Sequence, residues 1–424
     1  MSDDRKLILK MLQENRITIE EAERLLKATE DKAPGSSRAP EDTLFDRTAP
    51  KVEHFVNSLS SMFDTVSQQL GPTLEKRFEG WFQQKHKSTK TTPADEAGFE
   101  TLRRDEQVIP LEPGIEKIKV HYTLGDVNVI SHSGEHIHAA LEKRVYSTQV
   151  EDKLKYEDLH LESHQEGNTL FLKLAGAEGL TASQHAEVHL QLQVPASLDL
   201  VLDTEKHNIS LSQWSHTQGQ VHLRSGSGNL SLQNVALKAI DLETQTGNVS
   251  AEQASESLKV VTQSGNIHLA GSIYKGQIKS GSGQITVSAS VFDRLTAESS
   301  SSDLQVQLLD GQGSLELSTR SGDIELSGEL HKEGVLNSAS GDLQCDIIVH
   351  PSASVSLTSH SGDVDLILRP ESQCSIELEA RSGDIESRLE LEAQHASEHS
   401  LKGKKGSGEG VLKAQTQSGD ILLS

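Results

Sequence analysis

The chain has 424 residues, a net charge of −23 and an aromatic content of 3%. Residues 1–90 carry 15 basic and 15 acidic residues, so the whole net charge of −23 lies after them, where it argues against nucleic-acid binding. Only Trp214, Tyr274 and Phe292 are aromatic from residue 200 onward. This scarcity argues against a compact enzyme domain and suits a thin repeat protein with an aliphatic core.

The beginning of the chain has no apolar run typical of a secretory signal, and no stretch approaches the ~20 apolar residues of a membrane span. We therefore expect a cytoplasmic protein, with membrane association or a cell-surface location as alternatives. The two cysteines, Cys345 and Cys374, fall at different places within the repeat described below. Their expected role is that of small buried fillers, and the sequence does not decide whether they pair.

Residues 1–30 are predicted to form a helical hairpin. Leu7, Ile8, Met11 and Leu12 define one helical face, and the capping pair Thr18 and Glu21 starts a second helix. Residues 31–49 are rich in Pro, Gly and Ser and are predicted to be a linker.

Residues 50–85 are predicted to form an amphipathic helical segment, interrupted at Gly71-Pro72. The segment has an apolar face and has lysines near its end. The apolar face could pack on the protein itself, form a helical oligomer or lie on a membrane surface. Candidate contacts with a membrane or a partner are Phe55, Leu59, Phe63, Phe78, Trp81, Phe82, Lys85 and Lys87.

A polar linker is predicted over residues 86–105, followed by a β-domain over 106–424. Apolar and polar residues alternate in this domain, as in Glu187 to Val194, which is typical of strands with one buried face. Two histidines of one such strand, His136 and His138, share a face near His132. This group is a weak candidate for a metal site, because zinc usually takes three or four ligands.

One element recurs through the β-domain: a small residue, Gly, Asp or Asn, and then an aliphatic residue. Its Asp/Asn position recurs every 18 to 21 residues from Asn208 to Asp384, and the last step, to Asp420, is 36 residues. We interpret that last step as two units, of which one has lost its signature. The predicted structural turn residues are Gly228, Asn229, Gly247, Asn248, Gly265, Asn266, Gly322, Asp323, Gly341, Asp342, Gly362, Asp363, Gly383, Asp384, Gly419 and Asp420.

The residue types of this element suit a tight turn. Gly tolerates positive φ, and Asp or Asn can bond its own backbone in an Asx turn. Each unit then contributes about two short strands, and stacked units share one aliphatic core. The sequence therefore predicts a mainly β protein built as a parallel β-solenoid, right-handed, with a stack of β-meanders or an open sandwich as the alternative.

Catalytic motifs are not evident in the sequence. A column of Asp could bind calcium, but several units carry Asn or Gln, which weakens a site for a hard cation. We find no Gly-x-Ser-x-Gly elbow, P-loop, HExxH or CxxC motif. We therefore expect no enzyme activity, no cofactor and no metal.

The repeated Ser-Gly-Asp-Ile turn resembles that of the bacterial β-strand-repeat family known as "putative adhesin", a family of unknown function. The head, from Leu7 to Leu26, looks like the short helical (SHOCT-like) domain that begins YvlB- and LiaX-type proteins. This resemblance implies a link to the cell envelope and its stress response, and it supplies no catalytic residues.

Two classes of function follow. The first is a binding scaffold, in which the acidic solenoid and the helical segment contact a protein partner, a membrane surface or cationic peptides. The second is a structural adhesin that self-associates, through the helical segment for example. A polysaccharide-acting β-helix enzyme is a weaker third class, since it would need carboxylates and aromatics clustered on one face.

Overall fold

A computed structural model describes residues 100–145, 156–176 and 186–424. The predictions for the head, for the linker over 31–49 and for the amphipathic segment concern residues outside these ranges. The described residues form β-strands that belong to one hydrogen-bonded sheet system.

The strands before the regular repeat are β1 (Glu100–Pro110), β2 (Lys117–Tyr122), β3 (Val127–His132), β4 (His136–Val145), β5 (His160–Glu166), β6 (Thr169–Ala175), β7 (Ala186–Pro195) and β8 (Asp199–Thr204). The long strands of the repeat are β9 (Ile209–Ser225), β10 (Leu230–Thr244), β11 (Val249–Ser264), β12 (Ile267–Ser282) and β13 (Ile285–Ser299). The remaining strands are β14 (Leu304–Gly311), β15 (Ser314–Ser321), β16 (Ile324–Leu330), β17 (Glu333–Ser340), β18 (Leu343–Val349), β19 (Ser354–Ser361), β20 (Val364–Leu368), β21 (Cys374–Ala380), β22 (Ile385–Ser387), β23 (Glu392–Ser397), β24 (Ser400–Lys405), β25 (Gly410–Ser418) and β26 (Ile421–Leu423).

The repeat stacks in parallel register. Ile209 lies beside Leu230, Leu230 beside Val249, and equivalent residues continue to pair as far as Val364. These eight steps are each 18 to 21 residues long, the period seen in the sequence. The predicted parallel β-solenoid is therefore confirmed.

Each coil has two faces joined by the glycine turn. Face A consists of the strands that follow the turn, together with β7, which pairs with β3: β3, the first parts of β9 to β13, β14, β16, β18, β20, β26 and β22. Face B consists of the strands that precede it: β2, β8, the second parts of β9 to β13, β15, β17, β19, β25 and β21. Strands β9 to β13 are 15 to 17 residues long because each runs from face A of one coil to face B of the next.

The core lies between the two faces and is aliphatic. The first residue after most turns, such as Leu230, Val249 or Ile267, is at most 1% exposed and stacks on its equivalents, whereas Ile385 in the last coil of the stack is only partly buried. Alternate residues point inward, so each coil closes only by pairing with its neighbours. Trp214 is the largest fully buried side chain of the described residues, and its Nε1 donates to the Ala196 carbonyl at 3.2 Å.

The end of the solenoid near the start of the described chain is closed by antiparallel strands. The coil of β6 and β7 lies outside the coil of β2 and β3, and β1, β4 and β5 pair antiparallel beyond it. Strand β1 begins at Glu100, so residues 100–105, predicted as linker, are strand, because they pair with β4. Fully buried Lys143 holds this end together, with Nζ 2.8 Å from Asp105 Oδ2 and 3.0 Å from the Glu157 carbonyl.

The other end departs from chain order. The coil of β25 and β26 lies between the coil of β19 and β20 and the coil of β21 and β22. Strands β23 and β24 form an antiparallel hairpin whose second strand pairs with β21. The prediction that the 36-residue step is two units with one lost signature is therefore wrong, because the hairpin fills the interval and Asp420 stacks between Asp363 and Asp384.

Candidate functional site: the turn column and its neighbouring faces

The predicted turn residues lie in one column along the solenoid. Each Asn or Asp bonds the next coil rather than its own backbone: the backbone N of Asn248 donates to Oδ1 of Asn229 at 2.8 Å. The same bond recurs at 2.8 to 3.0 Å along most of the column. One carboxylate or amide oxygen per turn therefore serves to join coils, in place of the expected Asx turn.

This turn column starts earlier than the sequence indicates. Asp126, which lies 82 residues before Asn208, accepts the Asn208 backbone N–H at 3.0 Å. In spatial order the column is Asp126, Asn208, Asn229, Asn248, Asn266, Gln284, Asp303, Asp323, Asp342, Asp363, Asp420 and Asp384.

The glycine of each turn is required by close stacking. A Cβ on Gly247 would lie 1.9 Å from the Gly228 carbonyl oxygen, and one on Gly265 would lie 2.0 Å from that of Gly247. No side chain fits at such a separation, whatever φ the residue adopts. The expected positive φ occurs at Gly283, with φ 132°, and at four of the predicted turn glycines, with φ between 150° and 159°: Gly341, Gly362, Gly383 and Gly419.

A buried hydroxyl stands three residues before the glycine in most coils. Thr244 Oγ1 accepts the Gly247 N–H at 3.1 Å and lies 3.2 Å from the Gly228 carbonyl oxygen. Ser338, Ser359 and Thr416 contact the turn carbonyl in the same way. The sequence reasoning overlooked this column, although a Ser or Thr at the third position before the glycine is visible in the repeat.

The chemistry of the turn column changes halfway along it. From Asn208 to Gln284 the residues are neutral amides, and from Asp303 onward they are carboxylates. Each carboxylate from Asp303 to Asp420 uses Oδ1 for the next coil. None of these Asp residues forms a salt bridge within the described parts of the chain.

Face A changes in parallel with the turn column. Its outward positions nearest the turn column, from β7 to β14, are mostly hydroxyl and amide residues, and the following set contains one acid, Glu252: Gln191, Gln193, Asn128, Ile130, Ser210, Ser212, Ser231, Gln233, Ser250, Glu252, His268, Ala270, Thr286, Ser288, Gln305 and Gln307. Further along, Glu325, Asp365 and Glu386 point outward beside the Asp turns. We call the carboxylates of Asp303, Asp323, Glu325, Asp342, Asp363, Asp365, Asp384 and Asp420 the acidic edge. Glu386 is not part of it, because its Oε1 lies 2.9 Å from Arg388 Nε.

Face B also carries charges, but they are paired between coils. Lys279 Nζ lies 2.8 Å from Glu298 Oε2, and Asp241 Oδ2 lies 3.2 Å from both His222 Nδ1 and Lys259 Nζ. Hydrogen bonds from two lysines, Lys402 and Lys413, hold the pKa of Glu377 below its usual range. The acids of face B are thus largely committed to bonds that hold coils together.

One acid on face A, Asp346, is paired with a basic side chain, as most acids of face B are. Arg369 donates to both oxygens of Asp346, at 2.7 and 2.9 Å, and this bidentate bond lowers the pKa of Asp346. Asp346 is therefore not part of the acidic edge, where the carboxylates lack such partners.

The candidate metal group is not assembled for metal binding. His132 accepts the Gly134 N–H at Nδ1, 2.9 Å away, and its Nε2 lies 2.8 Å from the His136 carbonyl oxygen. Both ring nitrogens of His132 are thus engaged by backbone. Within the described ranges, no group of three or more His, Cys, Asp or Glu side chains has the arrangement of a metal site.

The two cysteines are free and buried. Burial raises the pKa of the Cys345 thiol to about 12 and that of Cys374 to about 11. Neither thiol is activated for nucleophilic chemistry, which requires a lowered pKa.

The predicted contact residues of the amphipathic segment, from Phe55 to Lys87, lie outside the described residues. In the part of the chain that the structure covers, no helix is both long and apolar enough to cross a membrane.

The fold and the turn column define the chain as a parallel β-solenoid with a stacked Gly-Asn/Asp turn. A family model described as Toastrack DUF4097 matches residues 115–329 and 256–424, so the chain belongs to this family. The search of curated proteins gave no match.

Two solved structures are similar over 76% of this chain, each at 10% sequence identity. One is described as a candidate cell adhesion protein from Clostridium sporogenes, with 99% of its chain covered and a TM-score of 0.18. The other is described as a candidate adhesin from Bacteroides fragilis, with 98% covered and a TM-score of 0.25. Neither likeness bears on the function of this chain, because both TM-scores are low.

Proposed function

We propose that the chain is a non-catalytic binding scaffold linked to the bacterial cell envelope and its stress response. The acidic edge is its interaction surface, and the amphipathic segment supplies a second contact with a membrane or a protein partner. The proposal rests on one observation: acidic side chains on the two surfaces differ in whether a basic side chain pairs with them. Acids on face B are mostly paired with basic side chains, whereas those of the acidic edge have no basic partner within the described residues.

A surface of this kind suits a cationic partner. Adjacent parallel strands lie about 4.8 Å apart, so the Asp residues repeat at that spacing along the edge. Unpaired carboxylates so close together raise the local negative potential and attract positively charged ligands. A cationic peptide, or a basic segment of another protein, has the complementary chemistry.

The acidic edge can be tested on the full chain with a fluorescent oligolysine as probe. The double variant Glu325→Gln and Asp365→Asn removes two charges of the edge and leaves the Asp turns intact. We expect its affinity to fall roughly tenfold at low salt and the salt dependence to become shallower.

The matched control removes two paired charges, with Glu298→Gln and Glu316→Gln on face B. It changes the net charge equally and is expected to bind the probe within about twofold of the unmodified chain. Equal losses in both variants would show that only total charge matters, and no loss in either would reject the acidic edge as the surface.

The amphipathic segment needs a separate test, because it lies outside the described residues. Full chain would be floated with vesicles containing anionic lipid, beside the variant Phe78→Ser, Trp81→Ser and Phe82→Ser. Membrane contact predicts flotation that weakens with salt and is lost in the variant. Flotation that persists in the variant would contradict the role of these residues, and no flotation would leave a protein as the expected partner.

A further inference from the structure

Residues 410–424 form an inserted coil. Ala414 pairs with Leu357 on one side and with Leu378 on the other, and Ile421 pairs in the same way with Val364 and Ile385. The coil of β21 and β22 thus comes next in the chain after β20, but it is separated from the coil of β19 and β20 by a segment that follows later.

The turns at this end make identical contacts. Asp363 N donates to Asp342 Oδ1, Asp420 N to Asp363 Oδ1, and Asp384 N to Asp420 Oδ1, all at 2.8 Å. The turn that contains Asp384 therefore has the groups needed to stack directly on the turn that contains Asp363.

The spacing of the sequence fits such direct stacking. Asp342 and Asp363, which are neighbours in the structure, are 21 residues apart, and so are Asp363 and Asp384. Inward residues of the two coils also match in kind. Direct stacking would bring Leu378 beside Leu357, two buried leucines at the same position of face B.

The connection to the inserted coil allows it to leave. It follows the sequence Gly406-Ser407-Gly408-Glu409, in which Gly406 has φ 61° and Gly408 has φ 66°. Glycines adopt other backbone angles at little cost, so this connection can change direction while β24 remains paired with β21.

We infer that this end of the solenoid has two stacking orders. In the first, which the structure shows, residues 410–424 are inserted. In the second, the coil of β21 and β22 pairs directly with the coil of β19 and β20, and residues 410–424 are released as a strand–turn–strand segment. The inserted order predominates because it buries Leu412, Ile421 and Leu423. Any partner that binds the released segment shifts the balance toward the second order.

Three cysteine pairs distinguish the two orders in full-length chains that carry Cys345→Ala and Cys374→Ala. Thr358 and Gln415 are neighbours only in the inserted order, whereas Thr358 and Glu379 would be neighbours only after release. In the inserted order that second pair is about two strand spacings, ~9.6 Å, apart, which is too far for a disulfide. Asn337 and Thr358 are neighbours in both orders and serve as the control pair.

Under mild oxidation the control pair and the Thr358→Cys, Gln415→Cys pair are expected to form disulfides rapidly. The Thr358→Cys, Glu379→Cys pair should form its disulfide more slowly but to completion, as the minor order is trapped. If this pair stays reduced while the other two oxidise, the second stacking order does not exist.

A second measurement reports the released segment directly. Trypsin should cleave after Lys413 once the Thr358–Glu379 pair is crosslinked, and it should spare Lys413 when the Thr358–Gln415 pair is crosslinked. If the Thr358→Cys, Glu379→Cys pair crosslinks but trypsin does not cleave after Lys413, the crosslink reflects a local distortion of the inserted order, and the proposal is overturned.

Discussion

The two halves of the turn column share one backbone geometry and differ in chemistry. In the amide half, from Asn208 to Gln284, and in the acidic half, from Asp303 to Asp384, a side-chain oxygen accepts the backbone N–H of the next coil at 2.8 to 3.0 Å. The bond uses only the Oδ1 atom. The other terminal atom of the side chain can therefore be the nitrogen of an amide or the second oxygen of a carboxylate without loss of this bond. Stacking therefore requires one backbone geometry of the turn but does not require a particular side-chain charge.

The halves meet at a defect in the column. Within the described residues, the step from Gln284 to Asp303 lacks the usual side-chain bond, and Ser302 Oγ instead accepts the Gly283 N–H at 2.6 Å. The amide half lies beside the part of face A that is mostly uncharged, and the acidic half lies beside its acidic part. The solenoid thus has two surfaces of different chemistry on one continuous core.

The glycine requirement should be the same in both halves and should give the largest effect. Gly247→Ala and Gly322→Ala place a Cβ 1.9 Å and 2.4 Å from a backbone oxygen. We expect each to lower the free energy of unfolding by about 3 kcal/mol or more, since the neighbouring backbone cannot yield. Urea denaturation would measure the loss.

The matched control for these substitutions is Gly334→Ala. There the added Cβ would meet only side chains, Leu330 at 3.3 Å and Val355 at 3.7 Å, so the loss should be under about 1 kcal/mol. Comparable losses at all three positions would show that the turn glycines are not special.

Removal of the hydrogen bond between successive turns should destabilise the amide half more than the acidic half. Asn248→Ala deletes the acceptor for the Asn266 backbone N–H, and we expect a loss of about 1 kcal/mol in the free energy of unfolding. Asp342→Ala deletes the equivalent bond but also relieves repulsion from Asp323 and Asp363, so its loss should be smaller at low salt. A larger loss for Asp342→Ala would mean that the charged acceptor outweighs this repulsion.

The repulsion itself is isolated by Asp342→Asn, which keeps the oxygen that accepts the bond and removes the charge. We expect a gain in stability of about 0.5 kcal/mol at low salt that vanishes at high salt, because ions screen exposed charges. The reverse substitution, Asn248→Asp, introduces one charge among amides and should change stability little. Thermal unfolding at two ionic strengths would measure both.

Much of this architecture was predictable because the repeat places the same turn residues at an even spacing. The period identifies the stacked turns from Gly228 to Asp384, and alternation identifies the aliphatic core. The buried hydroxyl column also had a signal, since Thr244 and Thr262 each stand three residues before a turn glycine.

Other features were not predictable from the period. Asp126 joins the column across 82 residues of intervening chain, and the coil at residues 410–424 inserts out of order. Equal turns can stack in any order, so the spacing of the sequence does not determine which coils are neighbours. The donor to each Asp or Asn side chain is likewise a property of the stack, because it is the backbone N–H of a neighbouring coil.

One position of the amide half departs from the turn chemistry and should give the smallest effect. His207 stands where later coils have glycine, and its buried Nε2 has no hydrogen-bond partner in the described structure. Burial lowers the pKa of His207 and outweighs Asp126 and Glu187, which favour the charged form, while His189 opposes it. Since the pKa is lower in the folded state, protons bind the unfolded chain preferentially once the pH falls below about 6.5.

Stability should therefore be unaffected by His207 above this pH and should decline as the pH falls toward the lowered pKa of the folded state. In His207→Gly, which restores the residue of the other turns, the melting temperature should fall less between pH 7.5 and pH 5.5 than in the unmodified chain. His268→Gln, on the exposed side of face A, is the matched control and should retain the full decline. Because His207 is only half-buried, we expect a modest difference, and identical declines in all three proteins would assign the pH dependence to other groups.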